Sequence, residues 1–353
     1  MDLIMNNTDL SSFEEIKNIK KQYGEKLVIL GHLYQRKEIL DLSDYKGDSF
    51  ALSKNAAEQK NAKHIIFAGV HFMAESAAIL AQSGQIVQLP SMNAGCPMAD
   101  MAELADVEHA WNMVTDALPG QTIIPITYMN STADIKAFCG KHGGAVCTSS
   151  NAEKLFKWAL KNGDKIFFFP DEYLGRNTSN ALGIPRDKQF LWNPHKNEEY
   201  SAKDISSAQV FLWRGYCHVH RFFSEEHVKE TRTAYPDAVI IAHPECREQV
   251  IANADYSGST SFISKYVENA PKGSVIAIAT EVTMVDRLAV EYPDKKIIPV
   301  TRSICPDMFQ ITLKNIKETL DNIGSRNVIT VSDEIKKFGG MALRTMINVT
   351  MGN

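Results

Sequence analysis

Residues 209–217 read QVFLWRGYC, a short apolar run with the look of a β-strand that passes through polar residues to a cysteine. The same pattern closes two further stretches, IVQLPSMNAGC at 86–96 and KIIPVTRSIC at 296–305. Taken singly, a cysteine after a strand is ordinarily a packing residue, because free thiols are among the most buried side chains. Packing gives no reason for the residue to recur at one place in three segments. The shared context therefore makes Cys96, Cys217 and Cys305 candidate ligands of one buried metal–sulfur centre. Three thiolates drawn from distant segments can hold a 4Fe-4S cube by three of its irons, and the open fourth iron is a Lewis acid suited to oxygen-bearing substrates.

Working outward, strand-like runs rich in Val and Ile alternate with helical stretches: 27–30, 65–69, 86–90, 122–127, 145–148, 165–170, 209–213, 238–243, 274–280 and 296–301. Nearly continuous apolar strands separated by helices read as parallel sheets covered on both faces, so the class is α/β. A repeat runs through the alternation. Each unit has a first strand ending in polar or aromatic residues (GHLYQ 31–35, YMN 128–130, HPEC 243–246), then a small hydroxyl motif (GDS 47–49, CTSSN 147–151, GST 258–260), then a strand–helix pair, then a cysteine. Ser49 to Cys96 spans 47 positions and Thr260 to Cys305 spans 45, whereas Ser149 to Cys217 spans 68, so the middle unit carries an insertion near 180–204. One continuous doubly wound sheet is the rival architecture. Three αβα domains with short parallel sheets around a pseudo-threefold axis are preferred, since that geometry would bring three strand-end cysteines to one point. The expected divisions are 1–105, 106–220 and 221–353, the last with the C-terminal helices.

The 353 residues are 44% hydrophobic and 23% charged with a formal net charge of −4, ample for a large core and without the basic excess of a nucleic-acid or anionic-membrane binder. The first 21 residues lack a basic start followed by an apolar stretch, and no later run approaches the roughly 20 apolar residues of a membrane span. The expectation is a cytoplasmic protein with no nucleic-acid or membrane partner. Six cysteines in so long a chain do not make a disulfide framework, and a reducing compartment keeps thiols available for metal.

The motif series GHLYQ (31–35), GDS (47–49), GVHFMAE (69–75), AGC (94–96), YMN (128–130), CTSSNA (147–152), PDEYLGR (170–176), WRGYCHVH (213–220), HPEC (243–246), GSTS (258–261), TE (280–281) and CPDM (305–308) resembles the quinolinate synthase family from about residue 27 to about residue 320. That resemblance implies three αβα domains, a 4Fe-4S cluster held by Cys96, Cys217 and Cys305, and condensation of iminoaspartate with dihydroxyacetone phosphate to quinolinate with loss of phosphate and two waters. It leaves L-aspartate oxidase or aspartate dehydrogenase as a candidate transient partner and does not decide whether the imine is handed over directly. A CxxCxxC present in some members near the third ligand is absent here, where Cys305 stands alone in RSICPDM.

Such chemistry needs several positioned acids and bases, each contributing typically ~10²- to 10⁴-fold. Tyr34 is assigned as a proton shuttle, with His32 two residues earlier on the same face of an extended chain orienting substrate; an aromatic pair capping a strand is the alternative. Glu245 is assigned as a general base whose carboxyl a dry cavity would raise, with His243 beside it; capping of the next helix is the alternative. Tyr128 is a further catalytic candidate and Asn130 a substrate-binding one. Ser49, Ser149, Ser259 and Thr260 precede helices, where hydroxyls and backbone N–H groups can cap or can bind phosphate and carboxylate. His220 is expected to donate a hydrogen bond beside cluster or substrate, while His218 is structural. An iron–sulfur hydro-lyase with another hydroxy acid, an iron or oxygen sensor, and a structural zinc protein are the competing functions. The last is disfavoured because the chain has no CxxC.

Overall fold

A computed structural model describes residues 7–195 and 200–352. The first six residues of the stretch scanned for a targeting signal, and 196–199 of the inserted stretch, lie outside the described residues. The first sheet contains β1 (Leu27–His32), β2 (Tyr45–Gly47), β3 (His64–Ala68) and β4 (Ile86–Gln88) in the order β2-β1-β3-β4. The second contains β5 (Ile123–Tyr128), β6 (Ala145–Cys147), β7 (Lys165–Phe169), β8 (Gln189–Trp192) and β9 (Val210–Trp213) in the order β6-β5-β7-β9-β8. The third contains β10 (Val239–Ala242), β11 (Tyr256–Ser257), β12 (Val275–Ala279) and β13 (Lys296–Pro299) in the order β11-β10-β12-β13. All ten strand pairings in these sheets are parallel, so the fold is α/β with three separate sheets, and the continuous-sheet alternative is excluded. One order recurs three times; β8, from the inserted stretch, is added at the edge of the second sheet.

The repeat is written into the chemistry of the first strands. Asp44 and Asp255 stand just before β2 and β11, and their carboxylates accept the backbone N–H of Ile29 (2.8 Å) and Ile240 (2.7 Å) on the neighbouring strand. The matching position on β5 is Pro125, which has no N–H to satisfy, and the matching residue before β6 is Gly144. A Cβ on Gly144 would lie 1.9 Å from the Pro125 carbonyl oxygen, so the side chain that is useless there is also excluded.

Asp255 also pairs with Arg232 at 2.7 Å. Burial acts to raise its carboxyl, but the bonds from Arg232 and the Ile240 N–H outweigh it and hold the group below the usual aspartate range. A depressed folded-state value contributes stability above the unfolded value of ~3.9 that disappears as the pH falls through the folded one. Asp255→Asn is expected to lower stability at pH 7 by about 1 kcal/mol or less, since its amide oxygen can still accept the Ile240 N–H and what is lost is the half-exposed, screened ion pair with Arg232. In thermal unfolding the gap to the native protein should close toward pH 3; an equal gap at both pH values would refute the assignment.

The chain forms two compact units. The first, Met1–Cys96 with Ile304–Val331, holds the first sheet; the second, Pro97–Ser303 with Ser332–Asn353, holds the other two. In the first unit the helix Leu313–Asp321 packs on Asn7–Tyr23, and the returning chain is tied to the β4 end by Ile329 N–H to Val87 O (2.9 Å) and Gln88 Nε2 to Arg326 O (2.6 Å). In the second unit the helix Asp333–Met351 packs on Ala133–Lys141 so closely that a Cβ on Gly140 would lie 1.9 Å from Phe338 O. The C-terminal segment is thus shared between the two units.

The core follows from the pattern. All five residues of β7, KIFFF, are buried, as a strand covered on both faces requires. The helix Leu104–Ala117 buries Val107, Ala110, Trp111 and Val114, one stripe at i, i+3, i+4, i+7. Among the described residues no helix is long and apolar enough to cross a membrane.

Candidate active site

In the second unit the C-terminal ends of β5, β10 and β12 and the loop after β9 converge on a buried polar network. The Tyr128 hydroxyl donates to Glu245 Oε1, and His220 Nδ1 lies 2.7 Å from Glu245 Oε2. An ionised carboxylate only accepts, so in that contact Nδ1 carries the proton. His220 Nε2 meets the Thr280 hydroxyl at 3.0 Å, and the His243 ring stacks on His220 with centroids 4.2 Å apart. Tyr128, His220, His243, Glu245 and Thr280 are all buried, with Glu245 only 2% exposed.

The electrostatics reverse one expectation. Burial does act to raise the Glu245 carboxyl, but His220 and His243 beside it, together with the bonds from His220 and Tyr128, overcome that and hold it at about 2. Glu245 is therefore a fixed negative charge and hydrogen-bond acceptor rather than a carboxyl raised into general-base range. Its neighbour Asp171 moves the opposite way, pushed up by burial and then by the Glu245 charge, against the opposing N–H bonds of Leu174 and Cys217. Sequence reading assigned no role to Asp171 or Thr280, although both stand just past the third strand of their repeats.

The local backbone at His32 and His243 also differs from the extended chain expected. Gln35 N–H returns to His32 O at 2.8 Å and Cys246 N–H to His243 O at 2.9 Å, so each tetrapeptide is a turn. Within the turns the N–H of Tyr34 and of Glu245 approaches Nδ1 of the histidine two residues earlier, at 3.2 and 3.4 Å. His32–Tyr34 and His243–Glu245 are thus equivalent pairs in two repeats. In the first unit the His32 and Tyr34 rings meet edge to face, with centroids 4.9 Å apart.

The cysteines divide into two classes. Among the described residues, which include all six, none is in a disulfide. Cys139, Cys147 and Cys246 are wholly buried, and burial pushes each thiol up, which makes them inert. Cys96, Cys217 and Cys305 are half-buried and share one restraint. His71 N–H donates to Ala94 O (2.8 Å), Glu172 N–H to Gly215 O (2.9 Å) and Val282 N–H to Ser303 O (2.8 Å). In every repeat the first N–H of the helix after the third strand grips the carbonyl two residues before the cysteine. The three thiols are therefore structurally equivalent, as the sequence repeat implied.

Each cysteine loop has further support inside its own unit. Cys217 N–H reaches Asp171 Oδ2 at 3.2 Å, while Asp171 Oδ1 caps the helix Glu172–Ala181 through Leu174 N–H at 2.6 Å. In the first unit a Cβ on Gly95 would lie 3.8 Å from Asp307 Oδ1, so the loops carrying Cys96 and Cys305 adjoin. Three equivalent, reachable thiols set against three inert ones fit a group that takes three thiolates. Donor atoms of Cys217, His220 and Glu245 lie within 4.8 Å of one another, so a metal held by Cys217 would have an imidazole and a carboxylate beside it.

Among the hydroxyl candidates, Ser259 caps the helix Thr260–Asn269 through Phe262 N–H at 3.3 Å, as the bland alternative foresaw. Asp48 takes that role for Ser49–Glu58 at 2.9 Å, which leaves the Ser49 hydroxyl without a capping task. Ser149 and Asn130 are half-buried at the ends of β6 and β5. Thr260 Oγ1 is buried with no hydrogen-bond partner among the described residues, a cost of about 1–3 kcal/mol that a bound ligand would relieve.

The chain matches the family model described as Quinolinate synthetase A protein over residues 14–348. It is 45% identical over 339 residues to the quinolinate synthase of Bacillus cereus (strain ZK / E33L), covering 95% of this chain and 92% of that one. The quinolinate synthases of B. cereus (strain AH187) and Bacillus anthracis (strain A0248) are 44% identical with the same coverage.

Proposed function

The chain belongs to the quinolinate synthetase A family and is an enzyme of NAD biosynthesis, and from that premise we propose that it condenses iminoaspartate with dihydroxyacetone phosphate to quinolinate, releasing phosphate and two waters. The observation that carries the reading is the shared restraint on Cys96, Cys217 and Cys305, which supports a 4Fe-4S cluster held by those three thiolates. When bound, such a cluster supplies a Lewis-acidic iron for oxygen-bearing groups. The three repeats, divided near residues 105 and 220, are part of the proposal.

The protein's own residues bind, orient and move protons. The Glu245 carboxylate holds the Tyr128 hydroxyl and the His220 ring in fixed orientation, so that His220 Nε2 meets Thr280 Oγ1 at the buried site. Tyr128 and Asn130 offer hydrogen bonds to a carboxylate or carbonyl. The Thr260 hydroxyl, with Ser259, Ser149 and Ser49, supplies donors for one phosphate and two carboxylates, next to the backbone N–H groups of helix starts. His32 orients substrate and Tyr34 moves protons at its hydroxyl. Burial of the network excludes water from an unstable imine. A reducing compartment such as the cytoplasm suits thiolate ligands, and an aspartate-oxidising partner would supply the imine.

Anaerobically reconstituted protein, given dihydroxyacetone phosphate and freshly generated iminoaspartate, is expected to form quinolinate detectable by chromatography. A protein with a full complement of iron and sulfide that forms none would end the proposal.

A further inference from the structure

Glu245 has a restraint that comes from outside its own turn. Asn177 projects from the helix Glu172–Ala181, and its Nδ2 donates to both Pro244 O and Cys246 O, each at 2.8 Å. These are the carbonyls on either side of Glu245. One primary amide nitrogen carries two N–H bonds, so a single side chain grips the turn at two points and sets the direction in which the carboxylate leaves it.

The helix beneath Asn177 is a firm base. Asp171 caps its start, and Arg176 pairs with Glu172 at 2.9 Å. A Cβ on Gly175 would lie 2.5 Å from Phe168 and 2.6 Å from Leu212, so the helix is pressed directly onto β7 and β9. By contrast, the turn's own contact from Glu245 N–H to His243 Nδ1 is long, at 3.4 Å. We propose that Asn177 is a positioning residue: it fixes the backbone around Glu245 and thereby the Tyr128–Glu245–His220 network. The inference rests on the proposed function for its catalytic consequence, but not for its structural one.

The test uses cluster-loaded, full-length protein with Asn177→Leu, which keeps the branched outline without the donors, and Asn177→Ala as a second, smaller variant. Asn180→Ala, which removes the bonds of an exposed side chain on the same helix to Glu248 and Gln189, is the control. Both Asn177 variants are expected to lose about tenfold to a hundredfold in kcat, as displacement of a catalytic group by about 1 Å does, with KM changed less than about threefold. Iron content and the visible spectrum should match the native protein, and deuterium exchange in peptides covering 243–247 should quicken at least about tenfold, while Asn180→Ala leaves all four readouts in place.

An unchanged kcat in a native protein that makes quinolinate overturns the inference, as does a loss that tracks loss of iron or a uniform rise of exchange over the whole unit. Should the native protein make no quinolinate, the proposed function fails alone. Exchange at 243–247 then decides the positioning role, and unchanged exchange overturns it.

Discussion

Cys217→Ser is expected to give a folded protein that retains only a small fraction of the iron and sulfide bound by the native one after anaerobic reconstitution, and Cys96→Ser and Cys305→Ser are expected to do the same. A hydroxyl stays protonated where a thiol is lost to the metal as thiolate, and a centre with three protein ligands has none to spare. Folding should survive because the loop around each cysteine is fixed by backbone bonds that a serine leaves alone, such as Glu172 N–H to Gly215 O at 2.9 Å. Cys139→Ala, Cys147→Ala and Cys246→Ala should keep the brown colour and the iron, at the ordinary cost of a small cavity. Iron and sulfide analysis beside circular dichroism checks both halves. Full iron in any one of the first three variants, or its loss from a folded variant of the buried three, would show that the ligands were misassigned.

Glu245→Gln is expected to keep the cluster and lose about 10²- to 10⁴-fold in kcat. The carboxylate accepts from two donors at once, the Tyr128 hydroxyl and His220 Nδ1. A glutamine offers one acceptor and turns an NH₂ toward the other donor, so one bond becomes a clash of donors in a buried site. The pH dependence separates this role from general-base catalysis. Because His220 and His243 hold Glu245 below the usual carboxylate range, an acidic limb between pH 5 and 8 is expected to belong to another group. The residual activity of Glu245→Gln should keep the native limb. Its disappearance in the variant, or retention of most of the native kcat, would return Glu245 to the role of base or remove it from the site.

All ten apolar runs taken as strands are strands, because two-sided burial imposes a continuous apolar signature. The three strands not foreseen are informative. β2 (YKG) and β11 (YS) are edge strands of three and two residues, largely exposed and defined by pairing on one side only, so nothing compels them to be apolar. β8 (QFLW) is apolar but lies in the inserted stretch, where the expected unit had no place for it. In the site, recurrence revealed the cysteines and the histidine pairs, since both are matters of order along the chain. What sequence did not reveal was the charge state of Glu245, because its partner Tyr128 lies 117 residues away. Nor did it reveal the grip of Asn177, because PDEYLGRN names no carbonyl as its target.

Cys96, Cys217 and Cys305 each sit two residues past a carbonyl held by a neighbouring helix start, and that hold is backbone to backbone in each case. The reach of each sulfur is accordingly set by a count rather than by composition: one intervening residue, Gly95, Tyr216 or Ile304, between anchor and thiol. The identity of that spacer can drift from glycine to tyrosine to isoleucine without moving the anchor, whereas a single codon gained or lost there would shift one sulfur by about 3.5 Å and leave all three cysteines in place. Length variation in those dipeptides is thus the lesion this design tolerates least, and an indel scan would find it before any substitution scan did.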